Sequence, residues 1–170
     1  GWGLIVAVPD HASALTAIRL YRRDNRRWSW RKTISTNGAI FDGVSLAWVA
    51  LTVVFYWLSA TRAGFREAGM LDGSAVAAGE WWRLFTATML HADLMHLATN
   101  ALFGFILLGF AAGCYGTGLG LLAAFLAGVG GNLASWAVHG GSMHGLGASG
   151  VVMGALGLVA VHSLAHLRKP

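Results

Sequence analysis

The feature that most constrains this chain is a long segment without a formal charge. No Asp, Glu, Lys or Arg occurs from Leu94 to Leu167. A helix that crosses the hydrocarbon core of a bilayer needs ~20 predominantly apolar residues, so this segment is long enough for three crossings with short links. The chain of 170 residues is also 56% hydrophobic and only 11% charged. This composition excludes an ordinary soluble domain.

The predicted fold is therefore an all-α polytopic membrane protein with four spans. Glycine-rich stretches at 113–120 and 139–147 divide the uncharged segment, and a further apolar run precedes it. The predicted spans are 44–61, 94–112, 119–138 and 148–167. Small residues recur in them at helical spacing, among them Gly150, Gly154 and Gly157. Because small residues let helix backbones approach closely in lipid, these three glycines predict tight packing of the last span.

The first 42 residues differ from the rest of the chain. Gly3 to Val8 is an apolar run that predicts a strand, and the residues from Asp10 to Arg27 have the pattern of a helix with basic residues at its end. We predict that residues 1–42 are the remnant of a cytosolic amino-terminal domain plus a linker, and that residues 43–170 are the membrane domain. The chain begins without Met, and we expect its true start to lie upstream.

Basic residues near the first span predict the orientation in the membrane. Seven of the twelve Lys and Arg residues precede residue 33, and positive charge beside a span stays in the cytoplasm. Residues 62–93 carry three positive and four negative charges, without the basic excess of a cytoplasmic loop. We expect a cytoplasmic amino terminus, an outer loop at 62–93 and, for a bacterial protein, insertion into the inner membrane. The basic cluster is explained by topology and anionic lipid, so nucleic acid is not an expected partner.

Three polar residues within the predicted apolar spans are the main candidates for a catalytic role. In hydrocarbon a polar side chain must be satisfied or face a water-filled cavity. His96 and Asn100 are four residues apart, and therefore on one helical face near the outer end of the second span. Ser149 lies at the outer end of the fourth span, where Gly147 and Gly150 flank a helix start with unpaired N–H groups. A hydroxyl, two neutral donors and free backbone N–H groups are the parts of a nucleophile with an oxyanion hole.

Simpler interpretations exist for each of these residues. Gly, Ser and Ala are ordinary helix-packing residues in membranes, and a His/Asn pair four residues apart is more often an interhelical hydrogen bond than a site. It is the joint placement of the three side chains at one membrane depth that favours function.

Three motifs in this order resemble the rhomboid family of intramembrane serine proteases. A Trp-Arg pair lies in the long first loop, a His-x-x-x-Asn follows, and a Gly-x-Ser-Gly opens a later span. These motifs are Trp82-Arg83, His96 to Asn100 within the run that begins at His91, and Gly147-Ala148-Ser149-Gly150.

The resemblance implies a rhomboid-like bundle in which four of six core transmembrane helices are present. It implies that Ser149 is the nucleophile, that His96 and Asn100 hold the oxyanion, and that Trp82 and Arg83 are structural. The implied activity is cleavage of transmembrane protein substrates in the bilayer. The family's catalytic His is on the last span, so we expect it beyond Pro170 and expect this fragment alone to be inactive. His91 would lie near the mouth of the cavity, without a defined role.

Other functions are weaker interpretations. His162 and His166 share a helical face, but no carboxylate or thiolate completes a zinc site, and neither a metal nor a cofactor is expected. The lone Cys114 cannot form an intramolecular disulfide. A transporter or channel would need more ionisable groups along a polar path. The main alternative is a non-catalytic rhomboid-like protein that binds transmembrane helices without cutting them.

Overall fold

The computed structural model describes residues 7–24 and 43–167 of the chain. The chain divides into two compact units, Gly1–Ile34 and Ser35–Pro170. In the first unit, the described residues form a 3-10 turn, Val8–Asp10, followed by helix α1, His11–Asp24. The predicted strand is wrong at Val8, because Pro9 fixes a helical φ and offers no N–H to a strand partner. The rest of that strand, residues 3–6, and the predicted end of the helix at Arg27 lie outside the described residues.

The described part of the second unit contains long apolar helices joined by segments of short helices and strands. Its helices are α2 (Gly43–Thr61), α3 (Phe65–Gly69), α4 (Gly73–Ala77), α5 (Arg83–Thr86), α6 (Leu94–Tyr115), α7 (Thr117–His139) and α8 (Ser149–Leu167). Its remaining elements are strands β1 (Leu71–Asp72) and β2 (His144–Gly145) and the 3-10 segments Ala87–Met89 and Gly140–Ser142.

The long helices confirm the prediction of an all-α polytopic membrane protein. Helix α2, helix α6 and the stretch from α7 through Ser142 are each long and apolar enough to cross a membrane. Helix α8 is apolar over the shorter stretch Ser149–Ala165. The four predicted spans therefore correspond to α2, α6, α7 and α8, with ends that differ by a few residues.

The connection between α6 and α7 is shorter than predicted. A loop was expected over residues 113–120, but α6 continues to Tyr115 and α7 begins at Thr117. Only Gly116 interrupts the helical backbone, with φ 83° and ψ 149°. Glycine adopts a positive φ without steric cost, so one residue suffices to join two packed helices.

Glycines bring α7 and α8 into close contact, as expected for helices in lipid. A Cβ placed on Gly150 would lie 3.0 Å from the Cα of Gly128, and one on Gly154 would lie 2.6 Å from the Cβ of Ala127. Gly157 does not belong to this contact, since the corresponding Cβ position has no heavy atom within 4 Å. The predicted three-glycine stripe is thus wrong at Gly157.

The predicted outer loop, residues 62–93, packs against the segment that precedes Ser149. Strand β1 pairs antiparallel with β2, with Leu71 opposite Gly145 and Asp72 opposite His144. The side chain of Leu71 is fully buried, and it belongs to an apolar cluster that also includes Val129 of α7. This sheet, which no pattern in the sequence indicates, ties the loop to the chain leading into α8.

Candidate active site

The amino-terminal end of α6 presents His96 and Asn100 on one face. The helix begins after Asp93, whose carboxylate Oδ1 accepts a hydrogen bond from the backbone N–H of His96 at 2.8 Å. Such a cap satisfies one of the N–H groups that the first turn leaves free. The capped start fixes where the helix begins, and therefore which face carries the two polar side chains one turn apart.

Gly147 packs directly against both of these side chains. A Cβ on Gly147 would lie 2.7 Å from Cε1 and 2.8 Å from Nε2 of His96, and 3.9 Å from Nδ2 of Asn100. The φ of Gly147 is 132°, in a region that L side chains rarely adopt. Its N–H donates to the carbonyl of Ala87 at 2.8 Å. Both the contact and the conformation therefore require glycine at this position.

The side-chain amide nitrogen of Asn100 is a buried donor without a partner. Asn100 is only 6% exposed, and no described residue accepts a hydrogen bond from its Nδ2. A buried polar group left unpaired is costly, and in native structures it is uncommon enough to need an explanation. The donor faces the side where Gly147 approaches, and a bound acceptor at that point would satisfy it.

Ser149 is the first residue of α8 and is exposed. Ala148, immediately before it, is fully buried, and its carbonyl accepts the N–H of Val152 at 3.0 Å. The first-turn N–H groups of a helix have no intrahelical acceptor and favour an anion. The hydroxyl of Ser149 makes no hydrogen bond to any described residue, including His96 and Asn100. The structure thus brings Gly147, two residues before Ser149, into contact with the pair, without a hydrogen bond from the Ser149 hydroxyl to either side chain.

His91 lies beside His96, near the end of the loop of residues 62–93 and three residues before α6. The ring centroids of the two histidines are 5.2 Å apart, with an interplanar angle of 72°. His91 is fully buried, and among the described residues neither ring nitrogen makes a hydrogen bond of good geometry, although the Met89 backbone lies near enough to act on the ring. Burial, followed by the nearby His96, lowers the pKa of His91 to about 4, against weaker opposing effects of the Met89 backbone and the Asp93 carboxylate. The ring is therefore neutral near pH 7.

Arg83 joins three parts of the outer loop. Its Nε donates to the carboxylate of Glu80 at 2.6 Å, and its Nη1 donates to the carbonyls of Glu67 at 2.6 Å and Met70 at 2.9 Å. The neighbouring Trp82 is 53% exposed, and its Nε1 lies 3.4 Å from the carbonyl of Ala68. The guanidinium satisfies carbonyls that would otherwise be left free at the end of α3.

Two side chains of α7 also hold the outer loop, and the sequence analysis missed both. Nδ2 of Asn132 donates to the carbonyl of Leu84 at 2.8 Å, and Nε1 of Trp136 donates to the carbonyl of Gly73 at 2.9 Å. Asn132 could have been found, since it is a carboxamide in the middle of a predicted span, where a polar side chain needs a partner.

Asp72 caps α4 and approaches His144 across the two-stranded sheet. Its Oδ1 accepts from the hydroxyl of Ser74 at 2.6 Å and from the backbone N–H groups of Ser74 and Ala75 at 2.9 and 3.0 Å. The Ser74 hydroxyl, followed by the Ala75 N–H, lowers the pKa of Asp72 to about 2. The other carboxylate oxygen lies 3.5 Å from Nε2 of His144.

Within the described ranges, no three His, Cys, Asp or Glu side chains are grouped as a metal site would require. His162 of α8 packs edge-on against Tyr115, with ring centroids 5.7 Å apart.

Comparison with known proteins assigns the chain to a family. The Rhomboid domain model matches residues 78–169, more than half of the chain. This chain belongs to the rhomboid family. The rhomboid chain is also 30% identical over 141 residues to "Rhomboid protease GluP" of Bacillus subtilis (strain 168), an alignment that covers 77% of the chain and 27% of that protein. It therefore spans about a quarter of the length of this curated relative. Family and relative together support intramembrane proteolysis as the family-level function.

Proposed function

We propose that this rhomboid chain supplies the nucleophile and the oxyanion-binding groups of an intramembrane serine endopeptidase. In this proposal Ser149 attacks the peptide bond, and His96, Asn100 and the backbone N–H of Ser149 bind the developing oxyanion. The substrates are transmembrane helices of membrane proteins, presented from the surrounding bilayer. Trp82 and Arg83 have a structural role, which the three hydrogen bonds of the Arg83 guanidinium support.

The observation that carries the proposal is the contact of Gly147 with His96 and Asn100. This glycine is two residues before Ser149, and a Cβ in its place would lie within 3 Å of the His96 ring. The buried Nδ2 of Asn100, which has no partner, then lies beside the loop that carries the nucleophile. A donor that is already desolvated and held in place binds an oxyanion without further reorganisation, which is worth ~10²–10³ in rate for one such group.

The proposed reaction is ordinary acyl transfer. The Oγ of Ser149 bonds to the carbonyl carbon, its proton passes to a base, and the carbonyl electrons move to the oxygen that the donors face. Collapse of this intermediate breaks the C–N bond, and the amine leaves with the proton. Water then attacks the ester and restores Ser149. Gly147, Ala148 and Gly150 form the loop that shapes this site.

The base is proposed to be a histidine outside the described residues, beyond Pro170. Two observations support this. No described residue accepts a hydrogen bond from the Ser149 hydroxyl. His162 is on the same helix, and thirteen residues at 1.5 Å each separate the two by ~20 Å, too far for proton transfer.

We also propose an inner-membrane location with a cytoplasmic amino terminus, because basic residues cluster before the first span. A single reporter cysteine, introduced in the outer loop or after α8 into a chain with Cys114→Ser, tests this proposal. Labelling of intact cells by a membrane-impermeant maleimide is expected only for the outer-loop cysteine. The reverse pattern would reject the orientation.

The catalytic proposal is tested with an alkyl fluorophosphonate applied to the complete gene product in detergent. Labelling is expected for the natural sequence and is expected to vanish in Ser149→Ala. Ser163→Ala is the matched control, since Ser163 lies on the same helix and its hydroxyl bonds only to the carbonyl of Val159. Loss of labelling in both variants would point to misfolding. A complete, folded protein that is not labelled would instead favour the non-catalytic alternative, in which the protein binds transmembrane helices without cutting them. The observation that favours this alternative is that the Ser149 hydroxyl makes no hydrogen bond to a described residue.

A further inference from the structure

The ring of His96 is held by packing rather than by hydrogen bonds. Its backbone N–H bonds to Asp93, but within the part of the chain that the structure describes, neither of its ring nitrogens has a hydrogen-bond partner. Two contacts limit its rotation: the backbone of Gly147 and the ring of His91. An oxyanion donor works only if its N–H points where the charge develops, so whatever fixes this ring contributes to the reaction.

His91 is an unusual residue for a purely structural contact. It is fully buried, and among the described residues its ring nitrogens have no partner of good geometry beyond the weak effect of the Met89 backbone. Burying polar groups without good partners is costly. Aliphatic packing alone would be achieved at lower cost by leucine. The observed geometry is instead that of an edge-to-face pair, with centroids 5.2 Å apart and planes at 72°. Such pairs are directional and favour one relative ring orientation.

We propose that His91 is a positioning residue, whose planar ring fixes the orientation of the His96 imidazole toward the Ser149 loop. This inference rests on the proposed function, because it assigns His91 to the same site. His91 acts through His96 and touches no reacting atom.

The electrostatic environment of His91 agrees with this role. The titratable side chains near it are His96 and Asp93, and burial is the main reason that its pKa falls to about 4. A neutral ring beside His96 leaves that imidazole free to act as a donor.

Three substitutions separate ring orientation from space filling. His91→Phe keeps a planar aromatic edge, His91→Leu fills the space without a ring, and His91→Ala leaves a gap. The readout is fluorophosphonate labelling of the complete gene product, with the maximal labelling rate and the half-saturating concentration measured separately. We expect the maximal rate of the Phe variant to stay within ~3-fold of the natural protein. We expect it to fall ~10-fold or more in the Leu and Ala variants, with half-saturation unchanged, because misplacement by ~1 Å costs up to ~10² in rate.

The matched control is Leu90→Ala, which removes a buried side chain next to His91 that packs near Gly69. It is expected to lower stability without a selective change in the maximal rate. Equal maximal rates for the Phe and Leu variants would mean that His91 only fills space. A Phe variant as slow as the Ala variant would mean that the ring nitrogens, and not the ring edge, are needed. Either result overturns the inference. If the natural protein itself is not labelled, it is the proposed function that fails.

Discussion

The buried His91 makes the stability of this protein depend on pH in a predictable direction. Its pKa falls from an ordinary 6.5 to about 4 in the folded protein, mainly through burial. Between these values the unfolded chain binds a proton that the folded chain does not. Stability is therefore complete above pH 6.5 and is lost as the pH falls toward 4. A shift of this size corresponds to at most about 3 kcal/mol, of which about 2 kcal/mol is lost between about pH 7.5 and about pH 5.

The substitution that tests this is His91→Phe, which removes the titrating group and keeps the ring. The free energy of unfolding is measured by titration with a denaturing detergent in mixed micelles, at both pH values, for the natural protein and the variant. The variant is expected to lose about 2 kcal/mol less than the natural protein on acidification. Leu90→Ala, which removes no titrating group, is expected to lower stability equally at both pH values. An acid-induced loss that is the same in the Phe variant would refute the reasoning, because it would come from other groups.

Three further substitutions test how the site is held. Gly147→Ala introduces a Cβ 2.7 Å from the His96 ring at a positive φ, and we expect the rate of fluorophosphonate labelling to fall ~10-fold or more. The control is Gly141→Ala, whose Cβ would lie 3.8 Å from the nearest atom, and this variant should change the labelling rate little. Arg83→Lys replaces a guanidinium that bonds to a carboxylate and two carbonyls, and should lower the free energy of unfolding by ~1–3 kcal/mol in the same detergent titration. Trp136→Phe removes the 2.9 Å bond to the outer loop while keeping an aromatic ring, and should cost ~1 kcal/mol, read as a lower midpoint of unfolding.

The spans were predictable because a bilayer imposes a one-dimensional constraint. A helix in lipid satisfies its own backbone and must be apolar for ~20 residues. The absence of charge from Leu94 to Leu167, together with the glycine-rich stretches that divide this segment, therefore placed α6, α7 and α8 within a few residues. The link between α6 and α7 was mispredicted because glycine clusters usually mark loops. In lipid the same glycines serve helix contact, and only Gly116 leaves the helical conformation.

The outer loop was not predictable in the same way. Strands β1 and β2 have two residues each and lie more than seventy residues apart, so no local pattern indicates their pairing. The contact of Gly147 with His96 is also invisible in the sequence, where Gly147 is one of 24 glycines. The spacing of His96 and Asn100 predicted a shared helical face, because helical periodicity is local. What approaches that face depends on tertiary packing.

The position of the Ser149 loop is determined largely by the outer loop. Between α7 and α8, the N–H of Gly147 bonds to the carbonyl of Ala87, the carbonyl of Met143 accepts from Gly73, and Gly145 pairs with Leu71. Each partner belongs to residues 62–93, outside the long apolar helices. Helix α6 therefore carries His96 and Asn100, while the loop of residues 62–93 holds the segment before Ser149 against them. Perturbing the loop far from Ser149 should then change the alignment of the proposed nucleophile and the proposed donors without replacing either, because the two halves of the candidate site are carried by different parts of the fold.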